Sequence, residues 1–570
     1  MRTHAVYLFA FQAICSLGAS PTTGSSTLSS IPSIAPAAAS VLPDPTSPTA
    51  PAIPSGAPTI QLDEGTFFGV SNGVTNSFLG IPFAQPPVGD LRFAPPQPNS
   101  PYKGVHNATY WGTQCLNTIS ITGTVLPSWA TDEMKRYFAI FSTLAPSTFG
   151  EDCLNLNVIA PANIKAGQKL PIVAYIFFSG FDFSGSSNVD GRIMVNRSIE
   201  IGEPVIWVSM NYRLGSYGFL PGRQIREAGS GNMGLRDQRE ALRWIQKYIP
   251  AFGGDPSRVT LLGLSSGAAS ATLHTVANGG DSEGLFKGSW GESGALQHLG
   301  WIDSPLAQGI YDEFTEKLNC SDATDTLACL RQVPVENIKN VSASSADQFW
   351  LITADGDFIQ EPPQQALVKG KLAPVAIVNG IAEDEGTIAT LTFPDGANDT
   401  LLLNFIKQAF PNMTDSQAQV VLDLYPDDPS EGAPYGTGSQ YELAPMFKRI
   451  ASIAGDIDFD SNHRLLGSFV ANRQDFWSYY YTRNFVYGFG STHGGEIPNM
   501  YGGGDMADLL IHFANTFDPN GPKPKTYWPK YRLAAPIMLL FSGNDTLSYK
   551  DDTYRSDQID YLNHLNLAVH

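Results

Sequence analysis

Short runs of apolar residues recur along most of the chain, and they contain almost no polar positions. Runs of this length, bounded by turn-forming residues, are typical of strands that are buried on both faces of a parallel sheet. The pattern predicts five such strands, at PIVAYIFF (171–178), VIWVSM (205–210), VTLLG (259–263), PVAIVN (374–379) and FWSYYY (476–481).

The segments between these runs have the period of amphipathic helices, as in LRDQREALRWIQKYI (235–249). Upstream, TIQLDEGTFFGV (59–70) and TNSFLGIPFA (75–84) predict short antiparallel strands with turns between them. Strands that alternate with helices pack as a sheet covered on both faces. The predicted fold is therefore α/β, with a large, mostly parallel central sheet and a small antiparallel N-terminal sheet.

The first 58 residues differ in composition from the rest of the chain. Residues 1–19 begin with Arg2, continue through an apolar stretch and end in small residues, which is typical of a cleaved secretory signal peptide. Residues 20–58 are mostly Ser, Thr, Pro, Ala and Gly, and such a segment buries too little apolar area to fold. We therefore predict a disordered linker at 20–58, a folded domain at 59–570, and a secreted, extracellular protein.

The number of cysteines and the glycosylation sequences at several asparagines are consistent with a secreted protein. Four cysteines remain after removal of the signal peptide, and an even number in an oxidising compartment predicts two disulfides. Three pairings of Cys115, Cys153, Cys320 and Cys329 are open. The pairing Cys115–Cys153 with Cys320–Cys329 closes the smallest loops. Seven Asn-x-Ser/Thr sequences predict glycosylation sites, at Asn107, Asn196, Asn319, Asn340, Asn398, Asn412 and Asn544.

The charge of the chain narrows the range of partners. There are 54 Asp and Glu residues against 35 Lys and Arg, so the formal net charge is −19. A surface this acidic repels phosphate backbones, and nucleic acid is not an expected partner.

No apolar run of about 18 or more residues follows the signal peptide, so we expect no transmembrane segment.

The sequence Gly-Leu-Ser-Ser-Gly (263–267) follows the predicted strand VTLLG and precedes small residues that suit the start of a helix. Gly-x-Ser-x-Gly between a strand and a helix is typical of the sharp turn that presents a nucleophilic serine. The turn places the serine hydroxyl at a helix N-terminus, which favours developing negative charge. Ser265 is the candidate nucleophile, and the alternative is an ordinary glycine-rich connection.

A nucleophilic serine needs a general base and an acid that orients this base, and around this kind of turn the acid and then the histidine follow the serine. Glu383, Asp384 and Glu385 come shortly after the strand PVAIVN, at the sheet edge where active sites of such folds lie. His493 lies among glycines after the strand FWSYYY. These residues are candidates for acid and base, although such an acidic cluster is by default a solvated loop.

The reaction also requires backbone N–H groups that are aimed at the negatively charged oxygen, which together form an oxyanion hole. One is expected from Ser266, the residue after the nucleophile, and others from the loop after an earlier strand. The strand PIVAYIFF is followed by Ser179 and Gly180. We therefore predict oxyanion-hole residues at Ser179, Gly180 and Ser266, with a plain strand-to-helix turn as the alternative for the first two.

From about Thr59 to the C-terminus the chain resembles the type-B carboxylesterase/lipase family, which includes the cholinesterases and secreted fungal lipases. The resemblance rests on ordered motifs, at FLGIPFAQPPVGDLRFAPP (78–96), EDCLNLNV (151–158), NYRLGSYGFL (211–220), GNMGLRDQREALRWI (231–245), FGGDPSRVTLLGLSSG (252–267), EDEG (383–386) and HGGEIP (493–498).

The resemblance implies the α/β-hydrolase fold and a serine esterase or lipase that cleaves small-molecule or lipid esters through an acyl-enzyme, with no metal or organic cofactor. By this resemblance Ser265 is the nucleophile, Glu385 the orienting acid and His493 the general base. It also favours the local disulfide pairing. The alternative function is that of a non-catalytic adhesion or binding protein, as in some members of the family.

Two positions depart from the family pattern. The family motif His-Gly-Gly-Gly-Phe is matched here by Phe-Phe-Ser-Gly-Phe (177–181), so Phe178 and Ser179 carry side chains where the family leaves open space. The residue before the nucleophile is Leu264, where the family prefers Glu. Neither change removes a member of the implied triad.

A segment between Cys115 and Cys153 has the pattern of an amphipathic helix. One interpretation is a helix that is packed permanently on the core. The other is a lid over the Ser265 site, because lipases of the family carry a mobile helix in this loop, and a lid implies transient contact with a lipid surface. In residues 129–144 the apolar face comprises Met134, Tyr137, Phe138, Phe141 and Leu144.

Overall fold

The structure of the protein is a computed structural model that describes residues 51–117, 126–140, 147–165, 167–296, 300–344, 352–394, 396–543 and 545–568. The predicted signal peptide, the linker up to residue 50, the sequon at Asn544, and Phe141 and Leu144 of the predicted apolar face lie outside the described residues. Residues 51–58, the end of the predicted linker, form neither helix nor strand and are mostly exposed.

The strands include the five predicted apolar runs and others that the apolar pattern does not predict. The strands of the described residues are Thr59–Leu62 (β1), Glu64–Phe68 (β2), Val70–Ser71 (β3), Thr75–Pro82 (β4), Lys103–Asn107 (β5), Gln114–Cys115 (β6), Phe149–Gly150 (β7), Asn155–Pro161 (β8), Leu170–Ile176 (β9), Ile206–Met210 (β10), Gly254–Leu264 (β11), Gly288–Glu292 (β12), Ala376–Ala382 (β13), Phe476–Tyr481 (β14), Ile537–Ser542 (β15) and Thr546–Asp551 (β16).

Most strands belong to one large sheet, whose order in the described part of the chain is β16-β15-β14-β13-β12-β11-β9-β10-β8-β4-β3. The pairs from β15 to β10 are parallel, and antiparallel pairs occur at the two edges. Every residue of β9, β10, β12 and β14 is buried. The predicted apolar runs at β9, β10 and β14 therefore correspond to central strands that are covered on both faces, whereas β12 is buried without being an apolar run.

The predicted N-terminal strands are divided between two sheets. β1 and β2 pair antiparallel, as expected, and β5 adds to β2 as a parallel third strand. β4 lies instead in the large sheet, antiparallel to β8. An alternating pattern specifies which side chains face a core, but it does not specify the partner strand.

Helices cover both faces of the large sheet. They are Asp132–Ile140 (α1), Gly191–Glu200 (α2), Gly215–Phe219 (α3), Arg223–Glu227 (α4), Met233–Tyr248 (α5), Ser266–Gly280 (α6), Pro305–Lys317 (α7), Thr326–Gln332 (α8), Val335–Ser344 (α9), Pro363–Val368 (α10), Asp399–Ala409 (α11), Asp415–Leu424 (α12), Phe447–Gly455 (α13), Ser461–Val470 (α14), Ile497–Met500 (α15), Asp505–Thr516 (α16) and Ser556–Ala568 (α17). Residues 385–392 form a 3-10 helix and residues 456–460 a π-helix.

Both disulfides join cysteines that are close in the sequence. Cys115 pairs with Cys153 and Cys320 with Cys329, at Cα–Cα distances of 4.9 and 5.7 Å. The first bridge spans the segment that contains α1. Among the helices that the structure describes, none combines the length and the apolar composition that crossing a bilayer would require.

Candidate active site

The predicted site residues follow neighbouring strands at one edge of the large sheet. β11, β12, β13 and β14 are adjacent and parallel, and Leu264 of β11 lies in register with Glu292 of β12. Ser265 comes directly after β11, Glu385 three residues after the end of β13, and His493 in the segment after β14. Because parallel strands end at a common edge, the topology brings these three residues to the same side of the sheet.

Ser265 stands in a strained turn between β11 and α6. Its backbone has φ 57° and ψ −124°, a conformation that residues other than glycine rarely adopt. Such strain costs about 1–3 kcal/mol and persists only where the surrounding structure enforces it. Here the Ser265 N–H donates to the Glu292 carbonyl at 2.9 Å, and the Ser265 carbonyl accepts from Ala269 N–H at 2.9 Å. The strand and the helix thus hold the serine at the tip of the turn.

The two glycines of the turn are required by close backbone contacts. A Cβ atom at Gly263 would lie 2.2 Å from the carbonyl carbon of Gly267. A Cβ atom at Gly267 would lie 2.2 Å from the carbonyl oxygen of Ile176, at the end of β9. The Gly-x-Ser-x-Gly pattern therefore reflects the packing of the start of α6 against the turn and against β9.

Glu385 and His493 form a buried pair. The Nδ1 atom of His493 lies 2.7 Å from Oε2 of Glu385, and each residue is 1% exposed. The other carboxylate oxygen, Oε1, accepts a hydrogen bond from the backbone N–H of Ala382 at 2.7 Å. Because an ionised carboxylate can only accept a hydrogen bond, this contact favours the imidazole tautomer that carries its proton on Nδ1.

Asp384 connects the loop of Glu385 to the loop of His493. Its Oδ2 accepts the backbone N–H of Ser491 at 2.8 Å, and its own N–H donates to the Ser491 carbonyl at 2.9 Å. A Cβ atom at Gly490, whose φ is 71°, would lie 2.0 Å from this Oδ2. Of the acidic cluster, Glu385 contacts His493 directly and Asp384 fixes the two loops together, a role that the sequence pattern does not indicate.

Helix α1 lies against the segment that carries His493. The hydroxyl of Tyr137 donates to the backbone carbonyl of His493 at 2.6 Å. Glu133 accepts the N–H of Tyr487 at 3.0 Å, and Thr131 donates to the Tyr487 carbonyl at 3.3 Å. Of the predicted apolar face, Met134 and Phe138 are buried and Tyr137 is half-buried, in agreement with the predicted orientation of the helix.

Glu496, three residues after His493, belongs to one of the sequence motifs, but the sequence indicates no role for it. It is fully buried, and its Oε1 accepts hydrogen bonds from the Ser293 hydroxyl at 2.5 Å and the Tyr479 hydroxyl at 3.2 Å. Burial, and then the negative charge of Glu385, raise the pKa of Glu496 above its usual range. Glu496 therefore keeps its proton to a higher pH than an exposed glutamate does.

The predicted oxyanion loop carries a network of buried hydroxyl groups. The Ser179 backbone N–H donates to Oγ of Ser266 at 2.8 Å, and the Ser179 Oγ lies 2.8 Å from the Tyr212 hydroxyl and 3.3 Å from the Ser266 Oγ. The Phe181 N–H donates to the Ser179 Oγ at 2.9 Å, and the Tyr212 hydroxyl donates to the Phe177 carbonyl at 3.0 Å. The Ser179 N–H is thus engaged within the protein.

The phenylalanines that replace family residues in this loop are accommodated in the core. Phe177 and Phe178 are buried, and the ring of Phe177 stacks on Tyr212 with centroids 4.3 Å apart.

In the part of the chain that the structure describes, no group of three or more His, Cys, Asp and Glu side chains is arranged to hold a metal ion.

This arrangement of sheet and site is that of the α/β-hydrolase fold. The crystal structure of Aspergillus niger EstA superposes with a TM-score of 0.76 at 26% identity, over 90% of this chain and 99% of that one. Residues 56–561 match the family model described as the carboxylesterase family, and the chain belongs to this family.

Two fungal relatives extend the comparison. Lipase 4 of Diutina rugosa is 34% identical over 516 residues, which cover 86% of this chain and 92% of that protein. The secreted triacylglycerol lipase LIP1 of Gibberella zeae is 32% identical over 548 residues, which cover 91% of this chain and 92% of that protein. The protein is a carboxylic-ester hydrolase.

Proposed function

We propose that Ser265, His493 and Glu385 form the catalytic triad of a serine esterase or lipase. The observation that carries this proposal is the buried hydrogen bond between Glu385 and His493, at the sheet edge where the strained turn presents Ser265. Glu385 holds the imidazole in the tautomer with a basic Nε2 and stabilises the imidazolium that forms.

In the proposed reaction Ser265 Oγ attacks the carbonyl carbon of the ester while His493 takes the hydroxyl proton. The C–O bond of the tetrahedral intermediate then breaks, and His493 returns the proton to the departing alcohol. Water attacks the acyl-enzyme with His493 again as the base, which releases the acid and restores Ser265. Backbone N–H groups at Gly180 and Ser266 are the proposed donors to the negatively charged oxygen in both halves.

The proposed substrates are small-molecule esters and lipid esters, since the relatives include proteins named as lipases. The sequence leaves two interpretations of helix α1, a fixed helix and a lid, and the two predict different dependences of the rate on substrate concentration. We would measure rates against tributyrin across its solubility limit. A jump at the limit that disappears in Phe138→Ser supports the lid and transient contact with a lipid surface, whereas smooth saturation of the wild type indicates a fixed helix and an esterase.

We also propose that the protein is secreted with cleavage after about residue 19. Relatives are named secreted lipases, and two disulfides suit an oxidising compartment. Of the predicted glycosylation sites, Asn319, Asn340, Asn398 and Asn412 are exposed. N-terminal sequencing of protein from the culture medium should begin near Ser20, and glycosidase treatment should lower its mass. Retention of Met1 in a cell-bound protein would contradict this.

The direct test of the function is hydrolysis of p-nitrophenyl acetate and p-nitrophenyl butyrate by the purified protein. Ser265→Ala should reduce kcat by roughly 10³-fold or more, because the nucleophile is lost. The adjacent Leu264→Ile variant is a control for local packing and should keep most of the activity. Turnover by Ser265→Ala near that of the wild type would rule out the assigned nucleophile.

A further inference from the structure

The Ser179 backbone N–H, which the sequence predicts as an oxyanion donor, has a partner within the protein. It donates to the Ser266 Oγ at 2.8 Å, and both residues are almost fully buried, at 1% and 4% exposure. A short N–H···O bond in a site that excludes water is strong, because the local dielectric constant is low. An N–H group that already makes such a bond has little left to offer to a second acceptor.

The loop makes several contacts besides its two to the Ser266 hydroxyl, which accepts from the Ser179 N–H and lies 3.3 Å from the Ser179 Oγ. The Ser179 Oγ is bonded to the Tyr212 hydroxyl and to the Phe181 N–H, and Tyr212 in turn donates to the Phe177 carbonyl. These contacts connect both ends of the loop 177–181 to Tyr212. The bond from Ser179 N–H to Ser266 is therefore one of several contacts that position the loop, and it is the one that occupies the donor.

We infer that the Ser266 hydroxyl withholds the Ser179 backbone N–H from the oxyanion. The oxyanion hole of this chain therefore stabilises the negatively charged oxygen less than its backbone N–H groups could. The backbone N–H of Ser266 remains a proposed oxyanion donor. Ser266 is the first residue of α6, and the first N–H groups of a helix have no carbonyl partner within the helix. This inference rests on the proposed function.

Ser266→Ala removes the oxygen that contacts both the backbone N–H and the Oγ of Ser179. It keeps the contacts from the Ser179 Oγ to Tyr212 and Phe181. Because one oxyanion donor is typically worth about 10²–10³ in kcat, even an imperfectly aimed third donor should raise kcat by about tenfold. KM should change little, because the donor acts on charge that develops after binding. The assay is steady-state hydrolysis of p-nitrophenyl butyrate with thermal unfolding measured in parallel.

A second readout separates donor strength from other effects on turnover. An alkylboronic acid forms a tetrahedral anionic adduct with a nucleophilic serine, and its affinity should rise in Ser266→Ala by a factor similar to that of kcat. The matched control is Ser270→Ala, one turn further along α6, whose buried hydroxyl accepts from Gln238 at 3.1 Å. This control should show neither gain.

In a folded Ser266→Ala protein, a kcat and a boronate affinity that are both unchanged or lower would overturn the inference, as would a kcat gain without tighter boronate binding. Tighter boronate binding with an unchanged kcat supports the inference, because turnover is then limited by another step. If Ser265→Ala abolishes hydrolysis but Ser266→Ala brings neither gain, the inference fails and the proposed triad stands. If Ser265→Ala retains activity, the proposed function itself fails.

Discussion

The proposed acid–base half of the site, which comprises Glu385, His493 and Asp384, and the proposed oxyanion-donor half are held together by different kinds of contact. Glu385 and His493 meet through a side-chain hydrogen bond of 2.7 Å, and Asp384 joins their two loops. In the donor half, which comprises the loop 177–181 and Ser266, the groups that matter are backbone N–H donors, and hydroxyl side chains decide what those donors contact.

The two halves are expected to differ in which substitutions they tolerate without loss of activity. A side chain that performs acid–base chemistry cannot be replaced without loss of that chemistry. A backbone donor survives almost any substitution at its own residue, but a neighbouring acceptor can occupy it. This explains how the chain can depart from the family pattern at 177–179 and still keep the fold, whereas its acid and histidine positions follow the pattern.

The largest expected effect comes from the acid–base half. His493→Ala should lower kcat by roughly 10³-fold or more, and Glu385→Gln by a smaller factor, because the imidazole keeps its place but loses the charge that stabilises it. The double variant should be no worse than His493→Ala, since the residues act as one unit. Ester hydrolysis with p-nitrophenyl butyrate measures all three.

Ser179→Gly is the matched test in the donor half. It removes the side chain and leaves the backbone N–H, so we expect less than about a tenfold change in kcat. A loss as large as that of His493→Ala would contradict the distinction between the two halves.

A smaller effect is expected where α1 contacts the acid–base half. Tyr137→Phe removes the hydroxyl that donates to the His493 carbonyl at 2.6 Å. One hydrogen bond is worth about 1 kcal/mol, so kcat should fall by about fivefold with little change in KM. Phe138→Leu, a conservative change at the next residue, is the control. An equal loss of kcat in both variants would mean that α1 acts only through general stability.

The smallest effect concerns stability rather than turnover. The folded protein keeps the proton of Glu496 at a pH where the unfolded chain has lost it, since a free glutamate ionises near about pH 4.3. The unfolded state then binds fewer protons than the folded state, so this carboxyl group makes stability fall as the pH rises above that value. Its favourable contribution is complete below this pH and is lost as the pH approaches the raised pKa.

Glu496→Gln copies the neutral carboxyl group and cannot ionise. We expect the drop in Tm between pH 5 and pH 8 to be smaller in this variant than in the wild type by about 1–3 °C. Glu227→Gln, at an exposed glutamate, should leave the drop unchanged. An unchanged drop in Glu496→Gln would mean that Glu496 is already ionised in the folded protein at pH 5.

Much of the fold follows from the sequence because buried strands need long apolar runs. The apolar pattern predicts the strand at 476–481 with its observed bounds, and it predicts α5 within two residues at its start. The sequence could not assign β4 to the large sheet or β5 to a parallel pair, because partners are chosen by contacts between distant segments.

The candidate site, like the fold, can be predicted from the sequence only in part. The residue types at Ser265 and His493 and their order along the chain make them candidates for nucleophile and base, and these roles stay predictions. Chemistry alone does not choose among the carboxylates at 383–385; the family resemblance selects Glu385, and the structure places this residue on His493. The partner of the Ser179 N–H depends on a side-chain rotamer of Ser266 and leaves no signal in the sequence.

The most direct test of the triad is covalent labelling with a p-nitrophenyl alkylphosphonate, which reacts only with an activated nucleophile that is supported by an oxyanion hole. We predict release of one equivalent of p-nitrophenol, a label that peptide mass spectrometry locates on Ser265, and labelling of His493→Ala slower by roughly 10³-fold. A label on another residue, or wild-type labelling rates in His493→Ala, would contradict the account.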